Sequence, residues 1–312
     1  MSDEIITTTL VKNRRSRRTN DQLAALDEQL IAVLTECQPQ SVRHVYYRMT
    51  DTRLAVSVPK TDKGPGNGYS AVQRRLSKLR ENGRIPYAWV CDFTRRGYHV
   101  ATYSGAADFI RRTAGLYRAN AWEAAETYVE VWVESRSIAG VVEDLCYELA
   151  VSLYPSGGFT SHSMVFDCSG YIEDKIAKTG KAINVIYIGD FDPSGVLIDR
   201  DIEKRLRKHL DARGIDPDQL TFHRIAVTAD QVAEHDLPTK PRKPKERRSK
   251  EIMWTVEAEA LSVPVLLRLL REKIESFMPE NALLVAKAAE DSEKQLLRIF
   301  ARAFEEGRRA SP

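Results

Sequence analysis

The region from Thr127 to about Gly214 constrains the fold most. TYVEVWVES and INVIYIGD are short apolar runs rich in β-branched residues, and each ends on an acid, Glu134 and Asp190. Runs of this kind are strands buried on both faces of a parallel sheet. Around them the pattern turns helical: IAGVVEDLCYELAVSLY, closed by SGG, then YIEDKIAKTG and DIEKRLRKHLDARG, with SHSMVFD read as a further strand. Strand and helix in alternation imply α/β architecture with helical crossovers. Ligands bind such sheets beyond the carboxyl ends of the strands, which is where the two acids fall.

The residues before this region read differently. The formal charge of +3 averages a net +9 over residues 1–120 with a net −6 over the remainder, and Lys240–Lys250 (KPRKPKERRSK) alone carries +6. Charge divided this way suggests a polyanion partner for the first part and cation binding in the second; two solvated surfaces are the plain alternative. Residues 1–19 read as a flexible basic arm, and residues 20–120 as one domain. Asn20 is a good cap for a helix carrying Leu23, Leu26, Leu30, Val33 and Leu34; Pro39 stops it, and Ser41 caps SVRHVYYRMTD. LAVSV reads as a strand and TDKGPGNG as a loop. Tyr69–Asn82 is a basic helix with Val72, Leu76 and Leu79 on one face and Arg74, Arg75, Lys78 and Arg80 largely on the other, closed by Gly83. IPYAWVCDFTRR, with Arg95 and Arg96, reads as a strand pair. Helix, helix, basic helix and wing is the order of a winged-helix DNA-binding domain, so these basic residues, with Lys243, Arg247 and Arg248 of the later loop, are candidate phosphate contacts.

Asp190 and Asp192 stand two residues apart where an apolar strand meets Pro-Ser-Gly. In extended backbone both point to one side and can share a Mg²⁺ ion; an acidic turn capping the next helix is the bland alternative. Glu134 ends the earlier strand, 56 residues before Asp190, and neighbouring parallel strands would bring it beside the Asp pair as a further ligand or a general acid–base. Other chemistry is poorly supported. The six histidines form no H-x-x-x-H or H-E-x-x-H pair, and the four cysteines form no CxxC. No G-x-x-x-x-G-K-[ST] loop offers an ATP site. Glu257 and Glu259 fall on a predicted helix, where they diverge, with Glu257 a candidate to face the DNA or the metal. The apolar runs are too short to span a membrane, and MSDEIITTTLVKNRR lacks the order of a signal peptide, so a cytoplasmic location is the expectation.

WVESRSIAG resembles the first motif of the TOPRIM fold, and IGDFDPSG its Asp-x-Asp motif. SVRHVYYRM resembles the Arg-x-x-Tyr-Tyr motif of the A subunits of type IIB topoisomerases (topoisomerase VI) and their meiotic relatives that make double-strand breaks. The likeness covers roughly residues 25–270. It implies a winged helix followed by a Rossmann-like TOPRIM domain over residues 121–312. It also implies a homodimer on double-stranded DNA, Mg²⁺ at Glu134, Asp190 and Asp192, and Tyr47 as the nucleophile that forms a 5′-phosphotyrosyl bond. In that family the tyrosine of one subunit meets the metal site of the other, and a separate ATPase (B-type) subunit drives strand passage. The cytoplasmic expectation then becomes nucleoid-associated, or the host cytoplasm of a bacterial virus. Arg43, one turn before Tyr47, lies on the same helix face and could hold the scissile phosphate, while Tyr46 points elsewhere, toward packing. Two tyrosines that only pack are the plain alternative. His44 stands where an acid is usual after the Arg, and the basic loop followed by VEAEAL resembles small stand-alone relatives carried by bacterial viruses. Two further readings stay open: a TOPRIM nuclease that uses water, and a non-enzymatic winged-helix regulator.

Overall fold

The computed structural model describes residues 18–61, 67–91, 100–157, 162–193, 195–242 and 252–310. Most of the expected basic arm, Arg95 and Arg96 of the expected wing, and Lys243, Arg247 and Arg248 lie outside these described residues.

Helix α1 (Asn20–Glu36) starts one residue after its true cap. Thr19, rather than Asn20, accepts from the Gln22 amide while the Gln22 side chain answers, a reciprocal capping box. After strand β1 (Gln40–Ser41), helix α2 (Val42–Met49) is capped by Ser41, whose hydroxyl accepts from the His44 amide. Helix α3 (Gly68–Glu81) is capped by Asn67 and ends before Gly83, whose φ of 69° favours glycine. Leu26, Leu30, Leu34, Val45, Tyr46, Val72, Leu76 and Leu79 join in one apolar core. The predicted strand at 54–58 is instead a loop: Val58 returns one amide to the Met49 carbonyl at 2.8 Å, and among the described residues no strand pairs with the run. Of the expected strand pair at 85–96, residues 92–96 lie outside the described residues; within the rest, Tyr87–Trp89 forms a 3₁₀ turn and strand β2 (Val90–Cys91) pairs in parallel with β1. Helix α4 (Ala106–Thr113) leaves this core and packs elsewhere.

The second part is an α/β layer structure. Strand β3 (Thr127–Val133), helix α5 (Arg136–Glu148), strand β4 (Ser152–Pro155), helix α6 (His162–Thr179), strand β5 (Ala182–Ile188), helix α7 (Gly195–Asp211) and strand β6 (Leu220–Ala226) follow in order. The four strands are parallel in the order β4-β3-β5-β6, a layout of Rossmann-like kind. The chain moves from β3 outward to β4, then crosses back over β3 to place β5 on its other side. The crevice at this reversal lies between the ends of β3 and β5. Val129, Val131, Val133, Ile186 and Ile188 face α5, whereas Trp132, Val185 and Tyr187 face α6 and α7.

SHSMVFD is not a strand. From His162 onward it opens α6, and Val165, Cys168 and Ile172 are buried at helical spacing along that helix. The real second strand is Ser152–Pro155, which follows a turn at Ala150 with φ 53° that ends the preceding helix. Strand β6 carries no clear alternation of exposure and was not anticipated.

Beyond β6, helix α8 (Ala229–Glu234) leads to strand β7 (Lys240–Pro241), antiparallel to strand β8 (Trp254–Thr255). A 3₁₀ turn at Ala258–Ala260 precedes helices α9 (Val263–Glu275) and α10 (Ala282–Ala310). Helix α9 covers the α5 side of the sheet, and α10 packs along α4. The two parts touch where α2 meets the 258–260 turn and where α5 meets β1. Among the described residues no helix is long and apolar enough to cross a membrane.

Leu76 is fully buried in the N-terminal core. Leu76→Ala is expected to lower unfolding free energy by about 2–5 kcal/mol in urea titrations. A loss well below that range would show that α3 is not seated in this core.

Candidate active site

Glu134 follows β3 directly. Its amide donates to the Ile188 carbonyl at 2.8 Å, which extends the β3–β5 ladder by one residue. Ser135 then caps α5, its hydroxyl accepting from the Ile138 amide at 3.1 Å. Across the crevice the Asp190 amide donates to Glu134 Oε2 at 2.9 Å, so the two acids meet as the strand spacing suggested. Gly189 makes this approach possible: a Cβ there would lie 2.5 Å from the Tyr187 ring and 2.8 Å from Glu134 Oε2. Asp190 Oδ1 in turn accepts from the Ala258 amide at 2.9 Å. Asp192 accepts from the Gly195 amide at the start of α7, as the capping alternative expects.

Phe191 and Val256 exchange backbone hydrogen bonds of 2.9 and 2.8 Å, which lays residues 256–259 along the ends of the strands. The expected divergence of Glu257 and Glu259 on a helix is therefore corrected. Glu257 is extended, with φ −80° and ψ 145°, and Glu259 lies in the short 3₁₀ turn that it opens. Glu259 is buried and accepts from the Ser135 and Ser137 hydroxyls. Glu257 pairs with Arg43 and accepts from Lys240 Nζ at 3.0 Å. The Glu257 charge also acts on the Tyr47 hydroxyl, and Lys240 Nζ lies 5.8 Å from the centre of the Tyr47 ring. Arg43 and Tyr47 thus share a helix face as their spacing implies. Tyr46 packs edge-on against Tyr69 and is 2% exposed. His44 is buried, its ring 2.8 Å from the Ser41 hydroxyl.

Burial, with smaller contributions from Asp192 and Glu259, pushes Glu134 up to about 7. Burial and then the charges of Glu134 and Glu259 raise Asp190 well above the usual carboxylate range. Clustered carboxylates of this kind favour a proton or a cation among them. Glu257 behaves oppositely: against the cost of its burial, Arg43 and Lys240 hold it below its ordinary value. Burial and the adjacent Glu257 charge raise Tyr47, with Arg43 working the other way, so the resting hydroxyl is neutral.

Three contributors escaped sequence reading. Arg224, on β6, donates to the Gly189 and Asp190 carbonyls and pairs with Asp199 at 2.6 Å, bracing the strand end from behind. Lys240 looked like one more member of a basic run, and Glu259 like a surface helix residue; neither carried a local signal. A cleft of about 630 Å³ opens beside Tyr47, lined by Glu36, His44, Arg48, Asp236, Glu259 and Val263 among others.

The candidate DNA contacts on α3 separate. Arg74 and Lys78 are exposed. Arg75 turns to Asp27 of α1, with Nε 2.6 Å from Oδ1, and Arg80 lies 5.6 Å from the centre of the Tyr87 ring. The basic segment 243–251 joins β7 to β8, so its root is at Lys240, in contact with Glu257.

The chain matches no known family profile, no curated protein and no solved structure.

Gly189→Ala is expected to displace Glu134 and cost about 1–3 kcal/mol in urea unfolding. Glu134 also sets a pH dependence. Its folded value near 7 lies above the ordinary 4.5, so folding favours its proton. That stabilisation is present below pH 4.5 and is lost as pH rises through about 7. Unfolding in chelator-containing buffer should show this fall, and Glu134→Gln, which keeps an oxygen for the Asp190 amide, should flatten it. A wild-type profile without the fall would contradict the assignment.

Proposed function

We propose that this chain cleaves double-stranded DNA through Tyr47 in a Mg²⁺-dependent reaction of the type IIB topoisomerase A-subunit kind. On this reading residues 20–120 act as a winged-helix domain and residues 121–312 as a TOPRIM domain. The observation that carries it is convergence. Tyr47 and Arg43 from α2 meet Glu257, and the next residue's amide binds Asp190, which binds Glu134. A tyrosine, two cations and the strand-end carboxylates are therefore linked through residues 257 and 258, while of the acids near the strand ends Glu259 lines the cavity beside Tyr47.

The donor set is made of carboxylate oxygens at the ends of adjacent strands, which suits a hard cation with one or two protein ligands and waters. Asp190 and Asp192, with Glu134 beside them, would hold Mg²⁺, which when bound neutralises phosphate charge. The protein's own residues do the rest. A DNA phosphate competes with Glu257 for Arg43 and Lys240, and losing those cations makes Glu257 a stronger base. The Tyr47 proton passes to Glu257 as the phenolic oxygen attacks phosphorus. The P–O3′ bond breaks, the DNA 5′ end stays on Tyr47, and the 3′ oxygen takes a proton from Glu134. Here the Glu257 that acts on Tyr47 belongs to the same chain. Two copies would cut both strands, and strand passage would call for a separate ATPase subunit.

One observation favours a second reading. Tyr47 is only 6% exposed and held neutral, which suits a nuclease that uses water at the same carboxylates. Supercoiled plasmid incubated with the protein and Mg²⁺, then denatured, separates the two. Protein attached covalently to DNA 5′ ends is expected, with Tyr47→Phe abolishing it, Asp190→Ala abolishing it, and Glu257→Gln slowing it about 10²-fold. Cutting that survives Tyr47→Phe but not Asp190→Ala supports water as the nucleophile. Binding without cutting by wild type overturns both in favour of a regulator.

A further inference from the structure

Strand β5 ends beneath the acid cluster with Tyr187 as its last side chain on the α6 and α7 face. Val185 and Tyr187 alternate onto that face, and the next position along it is Gly189. The Tyr187 ring lies 5.6 Å from that of Phe222, and the Arg224 guanidinium lies 5.6 Å from its centre. These contacts use the ring alone, and a phenylalanine would make them equally well. The hydroxyl has no such use. Tyr187 is 0% exposed, and its hydroxyl oxygen finds no hydrogen-bond partner among the described residues. A buried polar group left without a partner costs free energy, and the great majority in folded proteins have one.

Its neighbour is Glu134. The Tyr187 hydroxyl oxygen and Glu134 Oε2 each lie 2.8 Å from the place a Cβ on Gly189 would take, so both oxygens border the same gap. Burial first and the Glu134 charge next raise Tyr187 above its ordinary value, with Asp199 and Asp190 adding to this and Arg224 opposing it. The phenol therefore keeps its proton, and toward a carboxylate a neutral phenol is a donor. In the resting arrangement Glu134 Oε2 takes the Asp190 amide at 2.9 Å, and the hydroxyl is held in reserve beside it. Acids that bind cations are themselves oriented by neighbouring donors, and loss of such a donor weakens the metal about 10–100-fold.

We infer that Tyr187 is a positioning residue, whose hydroxyl is the donor that keeps the Glu134 carboxylate directed at the cation site formed with Asp190 and Asp192. The inference rests on the Mg²⁺ reading of these three acids and adds to it a residue that, being fully buried, touches no DNA. The test needs no cutting. The full chain is titrated with MgCl₂ at constant ionic strength and its urea midpoint followed, because a cation that binds only the folded state adds stability as its concentration rises. Wild type should gain stability with Mg²⁺, and Asp190→Ala should lose that gain. Tyr187→Phe removes one oxygen from a filled core. Without Mg²⁺ its midpoint should equal or exceed that of wild type, yet it should need about tenfold more Mg²⁺ for the same gain. A Tyr187→Phe chain with the wild-type Mg²⁺ dependence overturns the role of the hydroxyl and leaves the cation reading standing. One already less stable than wild type without Mg²⁺ overturns it in favour of packing. A wild-type chain indifferent to Mg²⁺ overturns the cation reading and this inference together.

Discussion

The hydrogen bond from the Asp190 amide to the Glu134 carboxylate is the contact on which the rest of the crevice depends. It joins the ends of two parallel strands at the point where the sheet's connections reverse, so it forms only if β3 and β5 are neighbours in the right register. Burial keeps it strong, and the same burial makes the second carboxylate costly. The fold offsets that cost with fixed dipoles: the Asp190 amide on Glu134, the Ala258 amide on Asp190 and the Gly195 amide on Asp192. Each acid is oriented by backbone, and so the cluster does not rely on flexible side chains for its shape.

A five-residue stretch carries this order to the N-terminal core. Val256 is paired with Phe191, Glu257 holds Arg43 and Lys240, and Ala258 binds Asp190. Glu259 takes the Ser135 and Ser137 hydroxyls, and Ala260 packs against the N-terminal core. Anything that shifts α2 must therefore act on Glu257 and, one residue later, on Asp190. The opposite displacements of Glu257 and Glu134 follow from what each faces: two cations in one case, carboxylates and apolar walls in the other.

Much of this was legible in the sequence because it is local. The β-branched run into Glu134, the apolar run into Asp190, the Arg43–Tyr47 spacing and the apolar face of α3 all depend on periods of two or 3.6 residues. The errors were local as well. SHSMVFD reads as a strand only when it is cut from the helix that continues it, along which Val165, Cys168 and Ile172 are buried together, and Ser152–Pro155 is hidden at the end of a helical pattern that Ala150 terminates. Arg75 looked like a neighbour of Arg74 on a solvated face, yet Asp27, 48 residues earlier, takes it inward.

By itself the sequence determined that acids would end two neighbouring buried strands, and that a tyrosine and an arginine would share one helical turn. Both follow from the geometry of a single element. Only the tertiary structure decided how these features are linked, through Glu257, which the sequence offered as a candidate without a partner, and through Glu259 and Lys240, whose own neighbourhoods announce nothing. Their roles come from a stretch of chain laid across strand ends more than 60 residues away in sequence, a placement set by packing the whole sheet rather than by any local preference.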